Sequence, residues 1–269
     1  MAFHLRTLTP DVHLYLGDAM EVMAHLHAEH PEGLADLVCT DPPYGINYEG
    51  SGNRKVAKDD ELHLEWVPPM VDLMKSDTAM LLFSRADVLH YWTDAMEEAG
   101  LEWPSTQQWD GIVWDKVYPS LGEIFNYEFP LVESIGLRVK GEVPVRTWED
   151  RGRFFPAYPN RLRDHIAEER IGGWTVPITR SKRSRRHPTA KPPKLMERAL
   201  LNFSAEGDLV LDPFMGGAPV GVAAVRLGRR YIGVELDPKN FNLAVENIQR
   251  ELVRLRTFRR ARALVAAAL

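Results

Sequence analysis

ADLVCTDPPYGI, residues 35–46, closes a continuous apolar run with an acid, two prolines, a tyrosine and a glycine. A run of this length bounded by turn residues reads as a strand. The Asp-Pro opening and the nearby glycine are also ordinary turn chemistry. Taken alone, the stretch is as compatible with a plain turn as with a site.

The surrounding elements point to one architecture. On the N-terminal side, VHLYL (12–16) alternates like a short strand, and GDAMEVMAHLHAEH (17–30) carries helical spacing. Downstream, residues 45–60 are polar and glycine-rich and predict a mobile loop. Helical spacing returns over 61–75. TAMLLFS (78–84) then reads as a strand and ADVLHYWTDAMEEAG (86–100) as a helix closed by Gly100. TQQWDGIVWDK (106–116) and FPLVESIGL (129–137) predict two more strands. Regular alternation resumes with PPKLMERALLNF (helix), GDLVLD (strand), GAPVGVAAVRLG (helix), RYIGVEL (strand) and DPKNFNLAVENIQREL (helix), spanning 192–252. Strand–helix alternation on both sides predicts an α/β fold with a doubly wound, mostly parallel sheet. Between the two halves, 138–186 is dominated by prolines, aromatics and arginines. The expected organisation is one domain formed by 1–137 and 187–269, with 138–186 inserted.

The 269 residues are 45% hydrophobic and 26% charged, the balance of a soluble globular chain. No apolar stretch approaches the ~20 residues that span a bilayer, and MAFHLRTLTPDVH lacks the apolar centre of a signal peptide. The single cysteine, Cys39, excludes an intramolecular disulfide and sits where a small buried hydrophobe belongs. A cytoplasmic protein is the expectation. Charge is uneven: from Leu137 to Lys191 there are 14 Lys/Arg against 6 Asp/Glu, a net of +8, which leaves −13 of the overall −5 for the remainder. Such a basic stretch in an acidic chain suggests a polyanionic partner, although a solvated arginine-rich insertion would look the same. His25, His27 and His30 do not share a helix face and lack a completing Cys or acid, so no metal site is expected.

A second Asp-Pro follows the strand GDLVLD, which ends at Asp212 and runs into PFMGGAPVG. Gly216, Ala218 and Gly221 match a loose G-x-A-x-x-G, and Glu235 ends the next strand. Glycines in a strand-to-helix turn let a ligand approach the backbone, and the later acid can accept from a ribose diol. A nucleoside-containing cofactor is expected. An acid directly before the turn would repel a pyrophosphate but suits a cofactor carrying a cationic centre and an ammonium group, as S-adenosylmethionine does.

DPPYG, the HPTAKP stretch (187–192) and DPFMGGAPVG, in that order, resemble the beta-class amino-methyltransferases of DNA. That family is circularly permuted, with the catalytic half first and target recognition between the halves. The resemblance covers nearly the whole chain except 138–186 and about the last fifteen residues. It implies S-adenosyl-L-methionine as cofactor and double-stranded DNA as partner, and family members are often dimers. Gly17-Asp18 resembles the adenine-contacting motif, GVELD (233–237) the ribose-contacting strand, and Lys191-Pro192 the cofactor-edge motif; WDK (114–116) also matches. The cofactor residues implied are Asp18, Lys191, Asp212, Phe214, Gly216, Gly217, Ala218, Glu235 and Leu236. The family commonly reads F-x-G-S-G-T-T-G where this chain reads FMGGAPVG (214–221). Pro219 is acceptable in a first helical turn, whereas the Ala218 methyl falls where the cofactor's amino-acid end is expected.

The resemblance also gives the opening stretch a role. An exocyclic amino group is a poor nucleophile because its lone pair is delocalised into the ring, and two acceptors aimed at its N–H bonds would free that lone pair. Asp41 supplies one and the Pro42 carbonyl, by analogy, the other. Pro42 and Pro43 stiffen the turn, Tyr44 offers a stacking face, and Gly45 turns the chain away. The base must be flipped out of the duplex. Arg54, Lys55 and Lys58 would close over DNA, and Trp148, Phe154, Phe155, Tyr158 and Trp174 would wedge, stack or form a satellite core. An acidic first residue leans toward adenine-N6. Cytosine-N4 methylation, a DNA-binding homologue that has lost its cofactor and a nicotinamide-dependent oxidoreductase remain as alternatives.

Overall fold

The computed structural model describes residues 3–47, 49–50, 54–103, 112–115, 132–143, 173–175 and 191–267. The strands are β1 (His4–Thr9), β2 (Val12–Leu16), β3 (Ala35–Thr40), β4 (Glu49–Gly50), β5 (Arg54–Lys55), β6 (Met74–Ser84), β7 (Ile112–Asp115), β8 (Val132–Lys140), β9 (Gly173–Thr175), β10 (Leu209–Asp212) and β11 (Arg230–Glu235). The helices, numbered in chain order, are α1 (Ala19–Glu29), α2 (Val67–Asp72), α3 (Leu89–Glu98), α4 (Pro193–Phe203), α5 (Pro219–Arg226) and α6 (Pro238–Ala267).

Nine strands form one sheet in the order β1-β2-β11-β10-β3-β6-β8-β7-β9. The run β2, β11, β10, β3, β6 is parallel throughout, while β1 and β8 pair antiparallel to their neighbours. Side chains alternate across β3: Leu37 and Cys39 belong to one apolar cluster with α4, α5 and α6, and Val38 belongs to the other with α1, α2 and α3. This period-2 division covers both faces of the sheet with helices and makes the fold three-layered. From β10 the chain crosses to β11 on one side, and from β3 to β6 on the other. The β3–β10 seam is therefore the switch point, where open α/β sheets carry a ligand crevice at the carboxyl ends of the strands.

Most predicted elements are present, including α3, closed by Gly100 at φ +92° with Leu101 N–H donating to the Met96 carbonyl at 3.0 Å. Four differences stand out. The helix expected over 61–75 is only Val67–Asp72; Leu62 and Leu64 pack on the core from irregular chain, so their spacing imitates a helix. The edge strand β1, mostly exposed, has no apolar alternation to announce it. The C-terminal helix continues to Ala267. Finally, β8 runs through Lys140, beyond the expected boundary at 137. There Arg138 pairs with Glu97 at 2.6 Å, and Lys140 donates to the carbonyls of Val71 and Met74 at 3.0 and 2.8 Å. Trp148, Phe154, Phe155 and Tyr158, with Lys116 and 187–190, lie outside the described residues.

Candidate active site

Four adjacent parallel strands each lead into an acid at their carboxyl ends. Glu235 is the last residue of β11 and Asp212 the last of β10; Asp41 follows β3, and Asp18 stands two residues past β2. The order β2-β11-β10-β3 therefore places Asp18, Glu235, Asp212 and Asp41 along one edge of the sheet. Ionised carboxylates only accept hydrogen bonds, so this edge suits a ligand rich in donors or positive charge.

The first turn is held from several directions. Tyr44 donates its hydroxyl to Asp41 Oδ1 at 2.5 Å, and the Lys191 ammonium donates to Asp41 Oδ2 at 2.7 Å and to the Tyr44 hydroxyl at 3.1 Å. The Lys191 side chain is 6% exposed and that of Asp41 25%. Gly45 takes φ +71°, and a Cβ there would lie 2.5 Å from the Leu62 backbone nitrogen. Buried Asp59 accepts from the Gly45 N–H at 2.9 Å and from the Ile46 N–H at 3.4 Å, closing the turn. Pro42 is buried and Pro43 partly buried beside it.

The second turn is anchored below the surface. Asp212 is 2% exposed. Its carboxylate accepts from the Thr40 hydroxyl at 2.9 Å, the Phe214 N–H at 3.2 Å and the Tyr231 hydroxyl at 3.3 Å. Burial pushes the Asp212 carboxyl up to about 7 against the pull of these donors. Asp212, expected among the cofactor residues, faces the interior and braces the turn from below. Gly216 (φ +51°) and Ala218 (φ +56°) are both left-handed. Ala218 caps α5, its methyl is buried in the core, and Pro219 takes the first helical position. The methyl therefore fills core space. A Cβ on Gly221 would lie 2.6 Å from the Tyr231 ring, so that glycine serves close helix–strand packing.

Glu235 lies between the turns of β10 and β11. Burial raises its carboxyl above the ordinary value, opposed by the N–H groups of Asp237, Gly216 and Leu236. The exposed Leu236 side chain projects beside it. Gly17 N–H donates to the Glu235 carbonyl at 3.0 Å, carrying the next residue, Asp18, to the same edge. Asp18 caps α1 through the Met20 N–H at 2.9 Å and receives the Lys58 ammonium at 2.7 Å. Burial favours the neutral acid, but Lys58 and Met20 outweigh it and hold Asp18 below its ordinary value. Lys58, expected to face DNA, is thus engaged with Asp18. Phe214 meets Trp66 edge-on at 4.9 Å between centroids.

Among the described residues, those expected at the DPPYG and cofactor turns stand in the segments at this edge of the sheet. Sequence reasoning missed Thr40, Asp59, Trp66, Tyr231 and Asn247, the last donating to the Gly217 carbonyl at 2.9 Å. Only Thr40, adjacent to Asp41, carried a local signal. Among the described residues no group of three or more His, Cys, Asp or Glu is arranged to hold a metal, and no helix is long and apolar enough to cross a membrane.

The carboxyl-end edge of a doubly wound sheet, at its switch point, is where such folds carry a nucleoside-type ligand, and here that edge is lined by acceptors. Residues 35–246 match the DNA methylase family of N6 and N4 amino-methyltransferases, and the chain belongs to that family. It is 26% identical over 239 residues to the type II methyltransferase M2.DpnII of Streptococcus pneumoniae, covering 82% of this chain and 84% of the relative. It is 25% identical over 260 residues to the DNA adenine methyltransferase YhdJ of Escherichia coli K12, covering 86% and 81%. The crystal structure of an M1.HpyAVI-SAM complex shares the fold with a TM-score of 0.65 at 23% identity, covering 88% of this chain and 98% of that one.

Proposed function

We propose that the protein transfers a methyl group from S-adenosylmethionine to the N6 amino group of an adenine flipped out of double-stranded DNA. The observation carrying this reading is the hydrogen bond of 2.9 Å from Thr40 to Asp212, which joins the Asp41 turn to the Asp212 turn across the β3–β10 seam. The base and the cofactor would then lie side by side at one edge of the sheet, a requirement for direct transfer.

The residues present fit the cofactor by the chemistry of their donor set. Glu235 offers acceptors to a ribose diol and Asp18 to an adenine amino group. Gly216, Gly217 and Ala218 bring the backbone close, Phe214 and Leu236 flank the nucleoside, and the Asp212 charge lies beneath. When bound, S-adenosylmethionine supplies an electrophilic methyl group on a sulfonium. The chain's own contribution is made on the amino group. Asp41 and the Pro42 carbonyl accept from its two N–H bonds and release its lone pair, while Tyr44 stacks on the ring. Asp59, Pro42 and Pro43 hold these acceptors before the base arrives, the condition for electrostatic preorganisation. Adenine is favoured by the acidic first residue of DPPY and by the adenine activity named for YhdJ.

The basic stretch supplies the phosphate contacts of this reading. Arg138, Lys140 and Lys191 are engaged inside the protein; the other 11 of its 14 cations lie outside the described residues. Those residues would neutralise phosphates, so DNA affinity falls steeply with added salt; a flat response would remove the polyanion argument.

Incubation with plasmid and S-adenosylmethionine, followed by digestion to nucleosides and mass spectrometry, tests the reading. N6-methyladenine is expected. N4-methylcytosine would overturn the base assignment, and no methylated nucleoside with DNA binding intact would overturn catalysis.

A further inference from the structure

Lys191 matches a motif whose resemblance implies contact with the cofactor's edge, but the structure gives it different company. Its ammonium is almost fully buried, and burying such a group is costly unless it is paired and hydrogen-bonded. Asp41 Oδ2 at 2.7 Å and the Tyr44 hydroxyl at 3.1 Å meet that need, with the Tyr44 and Phe83 rings 5.5 and 6.0 Å from the ammonium. The tether crosses 150 residues of sequence and joins the segment before α4 to the turn after β3.

The geometry of Asp41 shows the consequence. One oxygen is held by Tyr44 and the other by Lys191, so the carboxylate cannot rotate without breaking a hydrogen bond. A carboxylate has about four acceptor positions, so both oxygens keep capacity for a further donor. A local anchor, Tyr44, and a long-range one, Lys191, thus aim the remaining lone pairs while a countercharge stands beside the acid. Asp212, the nearest acid across the seam, has donors of its own from Thr40, Phe214 and Tyr231.

We propose that Lys191 is a positioning residue for the amino-group acceptor, acting through Asp41 and Tyr44 and not through the methyl donor. The proposal rests on the reading of Asp41 given above.

Lys191→Met removes the charge at similar length, Lys191→Arg keeps it, and Asp41→Asn removes the partner. Methyl transfer is followed in single-turnover assays, and S-adenosylhomocysteine affinity is measured by calorimetry without DNA. Lys191→Met is expected to lower the single-turnover rate by about tenfold or more and to leave S-adenosylhomocysteine affinity within about threefold. Lys191→Arg is expected to recover part of the rate. Adding Lys191→Met to Asp41→Asn should cost little more than Asp41→Asn alone, since the two act as one unit. Should the Met variant not fold, the Arg variant carries the test, with a reduced rate and unchanged cofactor affinity expected. Loss of S-adenosylhomocysteine affinity in parallel with rate, or fully additive effects in the double variant, would overturn the proposal alone. A wild-type protein that methylates no DNA would overturn the functional reading as well.

Discussion

Two turns of this protein begin with Asp-Pro, follow neighbouring parallel strands and are joined by one hydrogen bond, yet their acids live in opposite environments. Asp41 has a side chain 25% exposed, with an ammonium and a phenol on its oxygens. Asp212 is 2% exposed and takes its hydrogen bonds from a hydroxyl, a peptide N–H and a phenol. The first keeps part of its side chain at the surface; the second braces its loop from below. A dipeptide therefore does not assign a role. Depth in the sheet and the charge of the partners do.

The largest expected effect comes from removing the exposed acid. Asp41→Ala should reduce methyl transfer by about 10²–10³-fold or more, the scale for losing one preorganised electrostatic contact. S-adenosylhomocysteine affinity should stay within a few-fold. Equal losses in single-turnover and calorimetric measurements would show that the two turns do not divide the labour.

The buried acid should reveal itself through pH. Burial pushes the Asp212 carboxyl up to about 7 in the fold against an ordinary value of 3.8. Between those values the folded state holds a proton that the unfolded state has released, so this group's contribution makes stability fall as pH rises from about 4 to 7. The loss is on the order of a few kcal/mol across that window. Denaturant titrations over pH 4–8 should show this slope in the wild type and a flatter one in Asp212→Asn. Parallel curves would mean that the burial of Asp212 carries no such linkage. A cationic cofactor favours the ionised acid, so its binding below pH 7 should release protons, seen as a calorimetric enthalpy that varies with buffer.

Glycines separate the turns again, with smaller effects. Gly45→Ala forces a side chain into φ +71° and within 2.5 Å of the Leu62 nitrogen. A loss of about 1–3 kcal/mol is expected in thermal or denaturant unfolding. At Gly217 a Cβ would meet Leu243 at an ordinary 3.5 Å, so Gly217→Ala should change stability by no more than about 0.5 kcal/mol. A large loss there would show the second turn to be as tightly determined as the first.

Much of this arrangement was legible before any fold was drawn. ADLVCT and GDLVLD announce β3 and β10 because buried strands need unbroken apolar runs. DPPYG and DPFMGG stand out because turn chemistry there is joined to acids. The false helix at 61–75 and the unseen β1 show where periodicity fails: apolar residues in irregular chain can mimic a helix, and an exposed edge strand needs no pattern. Thr40, Asp59, Tyr231 and Lys191 acquire their parts only through partners distant in the chain, the last across 150 residues.

The sequence by itself determined most of the strands and helices, and that acids follow several of the strands, because local pattern dictates local structure. Only the tertiary structure decided which acid is buried and which meets a lysine. Burial and pairing depend on neighbours that the crossings bring together, and no window of sequence contains them.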